Sequence, residues 1–404
     1  TEEGINPDLE IGRFLTGKNS LTNVPPLLGA LEYRRWRRGE PMTLGILQGF
    51  FPGVEDAWRY TLDAVGQFFE RVLTTSTQPA RVSLNIDTLL EEADRDLPPL
   101  ASEMVGAYLE SAHRLGQRTA ELHLALASDP DDPAFAPEPF TAHYQRSLYQ
   151  SMRSRTIRSL VDLTQRLTRL PDELQADAQS LLSREDELFQ RFHALLNRRM
   201  TAMRIRCHGD YHLAQVLHTG KEFVFIDFEG ETCRSLSERR IKHSPLRDVA
   251  SMLRSFHYAV YTALDSSASN HEAVQATVRP EDKAQLEPWA RLWYVWVSAT
   301  FLKSYLEGTR DAVFLPRTRE ELHILCDAFL LQKAIYELHS ELHHRPEWLH
   351  IPLRGLLQLL EARNDKTVES PISSNSPCGI TALEPTIRFK ADLRTESLTT
   401  LEVT

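Results

Sequence analysis

Between residues 207 and 231 the chain reads CHGDYHLAQVLHTGKEFVFIDFEGE. It sets Asp210 in a His-x-Asp loop, Gln215 five residues later, and Asp227 at the end of an apolar run. Transfer of a γ-phosphoryl group asks for little covalent chemistry from a protein. It needs a carboxylate to orient the attacking hydroxyl and take its proton, and ligands that hold Mg²⁺ on the phosphates. Asp210 suits the first role and Gln215 with Asp227 the second, since hard Mg²⁺ takes oxygen donors while keeping several waters. A rival chemistry draws on the same loop. His208, Asp210 and His212 carry imidazole and carboxylate donors that suit zinc, as in a zinc-dependent hydrolase. Gly209 argues for a loop there, and on a loop two histidines four apart lose the convergence that a helix would give them.

Positioning these groups falls to a hairpin. Residues 216–218 read as a short strand, Thr219-Gly220 as a turn and residues 223–226 as a buried strand, so Asp227 returns to the end of the ribbon nearest Asp210. The chain has 404 residues. That exceeds the roughly 250–300 at which one hydrophobic core stops growing, and two lobes are expected. A net charge of -10 argues against nucleic acid, whose phosphates demand a basic face. No run approaches the ~18 apolar residues of a membrane span. Cys207, Cys233, Cys326 and Cys378 lack metal-ligand spacing and fit a reducing, cytoplasmic setting.

The remaining signals are those of a helical protein with a small β portion. A helix is expected at 9–15 and strands at 30–34 and 43–48. The stretch QGFFP at 48–52 reads as a hinge whose Gln48 and Phe50 region could meet adenine. Trp58, Leu62, Val65, Phe69 and Val72 repeat at helical spacing, as do Ile157, Leu160, Leu163 and Leu167. Long helices are expected at 172–199, 246–264, 281–307 and 319–343, with an acidic, proline-rich surface loop at 129–139. GRFLTGK at 12–18 mimics a P-loop, but Asn19 stands where a hydroxyl residue is needed. Trp289, Trp293 and Trp296 read as core, and His339, His343 and His344 as a solvated helix end.

Taken together, HGDYHLAQVL, VFIDFEGE, SPLRDVASMLRSF, RTAELHLAL, NPDLEIGRFLT, VPPLLGALEY and RPEWLHIPLRGLL resemble the bacterial maltokinases, including those fused behind a trehalose synthase. The resemblance implies an α+β, bilobed protein-kinase-like fold with a truncated N-lobe and a large, mainly helical C-lobe. Residues 1–52 would be a partial N-lobe and hinge, without the cap, first strands and ATP lysine that maltokinases carry upstream. Residues 53–362 would be the C-lobe, and 363–404, rich in Ser, Pro and Asn, a disordered tail. The implied reaction is ATP- and Mg²⁺-dependent phosphorylation of maltose to maltose 1-phosphate for α-glucan synthesis, with trehalose synthase as fusion or complex partner.

By that resemblance Asp210 is the catalytic base, and Gln215 and Asp227 bind the metal. Glu229 joins them where protein kinases carry the Gly of DFG, and Glu10 is a candidate partner for the lysine. Asp248, in SPLRDVA, would accept hydrogen bonds from the catalytic-loop backbone. His208, Lys333, Tyr336 and Glu337 are assigned to the acceptor. Lys333 and Glu337 lie four apart on one helical face and Tyr336 can stack on a sugar ring. One departure is Ser340, where the family usually has a second Tyr. The alternative from another class is a catalytically incomplete module that binds sugar or holds a trehalose synthase.

Overall fold

Asn6 starts the fold. Its side chain accepts the Leu9 N–H at 3.1 Å and Pro7 follows it, so the chain enters α1 (Pro7–Phe14) with its first turn capped. The computed structural model describes residues 2–19, 21–36, 39–265 and 278–362; the expected tail lies outside these, and so do the side chains of Lys18 and Asn19. α1 buries Leu9, Ile11 and Phe14. It is followed by β1 (Leu27–Tyr33) and β2 (Met42–Gln48), an antiparallel ribbon pairing Leu27 with Gln48 and Tyr33 with Met42. Strand alternation sends side chains to both faces. Leu28, Leu31, Leu44 and Leu47 all remain at least half exposed, so the described residues cover neither face.

After the linker at 49–54 comes β3 (Glu55–Asp56), and Asp56 caps α2 (Ala57–Thr74) by accepting the Arg59 N–H at 2.7 Å. The body is helical from there: α3 (Ile86–Ala93), α4 (Pro99–Val105), α5 (Tyr108–Leu126) and α6 (Ala142–Arg166). The 129–139 loop, expected wholly on the surface, is partly interior. Phe135 is buried and stacks on Phe14 with centroids 3.6 Å apart, because one large aromatic in a polar loop gains more from the core than from water. The loop ends in β4 (Glu138–Pro139), which pairs with β5 (Met203–Arg204).

Residues 172–199 form two helices rather than one, α7 (Asp172–Leu182) and α8 (Glu185–His193). Ser183 Oγ donates back to the Ser180 carbonyl at 2.8 Å, and Arg184 leaves the helix to bind Glu187 and the Leu360 carbonyl. A local hydroxyl bond and a tertiary tie together override propensity there. β6 (Val216–His218) and β7 (Phe223–Phe225) form the expected hairpin, which β3 extends to three strands in the order β3-β6-β7.

α9 (Leu236–Arg239), α10 (Leu246–Leu264), α11 (Lys283–Gly308), α12 (Arg319–His344) and α13 (His350–Leu359) complete the body. Trp289, Trp293, Trp296 and Tyr294 on α11 are buried. α11 approaches α5 so closely that a Cβ at Gly116 would lie 2.5 Å from the Phe301 carbonyl oxygen; only glycine permits that contact. No helix among the described residues is long and apolar enough to cross a membrane.

Candidate active site

The loop before the hairpin is anchored from below. Asp248, in the first turn of α10, is buried and accepts the His208 N–H at 2.8 Å and the Gly209 N–H at 3.1 Å. His123 of α5 meets the same carboxylate at 3.3 Å through Nε2, while its Nδ1 lies 3.0 Å from the Tyr305 hydroxyl. Burial would raise the Asp248 carboxyl, but His123 and the donated N–H groups outweigh it and hold it below the usual range. Tyr211 is buried too, its hydroxyl 2.7 Å from Thr119 Oγ1, and the Leu213 N–H donates to Ser255 Oγ at 3.1 Å. These bonds fix the backbone on either side of Asp210.

His208 joins the loop to the hairpin. It was expected to touch the acceptor, but only 1% of it is exposed, and Nε2 lies 2.9 Å from the Ile226 carbonyl beside Asp227. Burial pushes its pKa down, so the neutral ring donates from Nε2. With that nitrogen engaged, and no shared sphere of ligand atoms formed by His208, Asp210 and His212 among the described residues, the zinc arrangement is not assembled. Gly209 (φ 88°) and Gly230 (φ 73°) are both left-handed, and a Cβ at Gly209 would stand 3.4 Å from Gly230 Cα, so the two loops abut.

Asp210 is partly exposed at the top of this support. Lys333 Nζ lies 3.8 Å from Oδ1, and His212 Nε2 lies 3.7 Å from Oδ2. Burial alone would raise its pKa; His212, Lys333 and His208 outweigh it and bring it down to about 2. The carboxylate is therefore favoured in its charged form. Lys333→Met is expected to move the acid limb of kcat/KM upward, since the group that favours the charged form is gone. A pH–rate profile of wild type and variant checks this, and an unmoved or downward-shifted limb would contradict it.

Gln215 ends a 3₁₀ turn at the start of β6, and its Nε2 donates to Asp227 Oδ2 at 2.7 Å. Turning the amide over presents Oε1 instead, because the two orientations differ only in which atom is assigned as oxygen. An amide oxygen and a carboxylate then stand side by side, a donor set that suits Mg²⁺. Asp227 has φ 63°, the one non-glycine residue with positive φ among those described. Such a backbone costs of order 1–3 kcal/mol and clusters at functional sites. Glu229, grouped with the metal ligands in the sequence, is paired with Arg239 at 3.6 Å.

The N-terminal helix contributes a residue that sequence reasoning missed. Asp8 Oδ1 accepts the Phe228 N–H at 3.1 Å, and Oδ2 accepts Gln48 Nε2 at 3.3 Å. Burial pushes its pKa up, with Asp227 and Glu229 adding to the rise. In the sequence it is one more acid in a helix first turn. Glu10 is engaged by two arginines instead of a lysine, Arg240 at 2.6 Å and Arg206 at 3.0 Å. Phe50, in the expected hinge, is 88% exposed, whereas the Gln48 side chain is turned to Asp8.

On the acceptor side the sequence-assigned residues divide. Lys333 meets Asp210, and its Nζ sits 5.1 Å from the centroid of Tyr336, whose ring also lies 5.5 Å from the Arg155 guanidinium. Glu337 is not paired with Lys333. It accepts Arg254 Nε at 2.9 Å and Nη2 at 2.7 Å, in a bridge buried between α10 and α12. Arg254→Ala strands that acid and is expected to destabilise the fold by about 3–5 kcal/mol, read from urea unfolding; a loss under about 1 kcal/mol would rule out a structural role. Arg155, Arg234, Arg247, Lys333 and Tyr336 line a crevice of only about 10 Å³ with Glu231, which is itself bound to Arg234 and Arg247, and Lys333 links the crevice to Asp210. Sequence reasoning missed these arginines, since each is unremarkable in its own helix or loop.

The APH phosphotransferase enzyme family matches residues 88–234. A glucosamine kinase of Streptacidiphilus jiangxiensis is 22% identical over 351 residues, 86% of this chain and 64% of that protein. Another glucosamine kinase, of Mycolicibacterium smegmatis, is 28% identical over 155 residues, 38% of this chain and 34% of that protein. The chain thus spans less than two thirds of the length of either relative. A glucosamine kinase solved in complex with glucosamine, ADP and inorganic phosphate superposes with a TM-score of 0.64 at 20% identity, covering 89% of this chain and 73% of that one. The fold is α+β and kinase-like, with a mainly helical C-lobe.

Proposed function

We propose that a chain with this kinase-like fold transfers the γ-phosphoryl group of ATP to a sugar hydroxyl, with Asp210 as catalytic base. The observation that carries this reading is the contact of Gln215 with Asp227 at 2.7 Å, on a hairpin that His208 ties to the Asp210 loop. Gln215 and Asp227 would hold Mg²⁺, which when bound neutralises charge on the phosphoryl oxygens. Asp210 orients the acceptor hydroxyl and takes its proton. His212 and Lys333 favour the charged carboxylate, and the bonds to Asp248 hold the loop rigid while the hydroxyl is aligned. Residues 1–52 would meet the nucleotide, with the 48–52 stretch against adenine, and residues 53–362 would carry the acceptor.

For the acceptor we favour a neutral sugar, maltose phosphorylated at its anomeric hydroxyl. Four cationic side chains, Arg155, Arg234, Arg247 and Lys333, cluster next to Asp210, which Lys333 contacts, and the acid among them, Glu231, is already bound to two of them. An ammonium group approaching Asp210 would meet that charge, whereas neutral hydroxyls would find donors there. Glucosamine is the second reading, because the curated relatives bear that name. ADP release with each sugar, with ³¹P NMR of the product, tests both. Turnover with maltose at least about tenfold above glucosamine, worth ~1.4 kcal/mol, is expected, and the reverse preference would overturn the assignment. Calorimetry with Mg·ATP tests the premise, since a chain that binds none is a non-catalytic module.

A further inference from the structure

Away from the crevice, α6 and α12 bring together three side chains that the phosphotransfer reading leaves unused. Asp162 lies on α6, and His339 and His343 lie four apart on α12, with one ligand atom from each within 4.8 Å of the others. His339 Nδ1 is 3.3 Å from Asp162 Oδ2, and His343 Nε2 is 3.7 Å from the same oxygen. Donor atoms around a tetrahedral ion with bonds of about 2.0–2.2 Å stand roughly 3.3–3.6 Å apart. The observed spacings bracket that value.

Hydrogen bonding does not account for the arrangement. His339 Nδ1 is buried without a hydrogen-bond partner although Oδ2 is only 3.3 Å away, so the two atoms are not aligned as donor and acceptor. His343 Nδ1 lies 2.8 Å from the His339 carbonyl oxygen. A carbonyl only accepts, so Nδ1 donates to it and Nε2 is the nitrogen left facing Asp162. A backbone bond to the second ring nitrogen is how metal-binding histidines are held in tautomer and orientation. All three side chains are between a quarter and about a third exposed, which leaves an entry path and room for water as a further ligand.

We propose that Asp162, His339 and His343 bind a divalent transition-metal ion of the zinc class. Imidazole and carboxylate together suit such an ion, while Mg²⁺ prefers oxygen alone. The ion would staple α6 to the end of α12, the two helices that carry Arg155 and Lys333 with Tyr336. The site does not depend on the kinase reading.

The test uses the full chain stripped with chelator, then titrated with Co²⁺ followed by visible absorption and with Zn²⁺ in competition with a chromophoric chelator. One equivalent with a low-symmetry Co²⁺ spectrum is expected. Asp162→Asn and His343→Ala should each weaken that site at least about tenfold, while far-UV circular dichroism stays native. His344→Ala is the control, because that ring lies beside the cluster with its Nδ1 3.0 Å from the Ser340 carbonyl, and it should bind like wild type. Absence of a stoichiometric site, or equal binding by wild type and both ligand variants, overturns the proposal.

Discussion

Asp210→Asn is expected to lower kcat by roughly 10²–10⁴, the range a positioned general base contributes, with little change in acceptor KM. Asn keeps the shape of the side chain, and the backbone of the loop is held by Asp248, so substrate binding should survive. A carboxylate with a pKa of about 2 is a weak base. That is compatible with this chemistry, because the transition state of phosphoryl transfer is loose and the attacking hydroxyl loses its proton late. What the carboxylate supplies is orientation of the hydroxyl and a place for the proton at the end of the step. Steady-state kinetics with a product-release assay measures the effect. Retention of more than about a tenth of wild-type kcat would remove Asp210 from the reaction.

The part of this site that could be read from sequence is the part encoded locally. The hairpin announces itself through apolar runs flanking Thr219-Gly220, and Gly220 indeed takes φ 83°. Asp210, Gln215 and Asp227 stand out because short spacing and residue type carry the chemistry. Long-range pairing could not be read. Lys333 and Glu337 look like partners four apart on one face, yet Asp210 takes the lysine and Arg254 the glutamate, because buried opposite charges from other elements outcompete a helical neighbour. His123 meets Asp248 across 125 positions, and Asp8 meets Phe228 across 220. Single-residue patterns contain neither contact. His208 looked like a substrate ligand because it sits in the catalytic motif, and only burial shows that its ring binds Ile226 instead.

The left-handed backbone at Asp227 makes that position the sharper test of the metal role. Asn tolerates positive φ better than most residues and Ala does not, so the two substitutions separate charge from strain. Asp227→Asn keeps an oxygen donor and the turn but loses the negative charge. It is expected to lower kcat by roughly 10²–10³, comparable to the loss of one preorganised electrostatic contact, and to raise the Mg²⁺ concentration needed for half-maximal activity. Asp227→Ala should lose at least as much activity and in addition destabilise the chain by about 1–2 kcal/mol from the backbone alone. Gln215 touches the Asp227 carboxylate directly, so Gln215→Ala should shift the Mg²⁺ requirement in the same direction, and the double variant should fall short of the sum, as expected for two ligands of one ion. Activity of Asp227→Asn that saturates at the wild-type Mg²⁺ concentration, with kcat unchanged, would detach this hairpin from the phosphates.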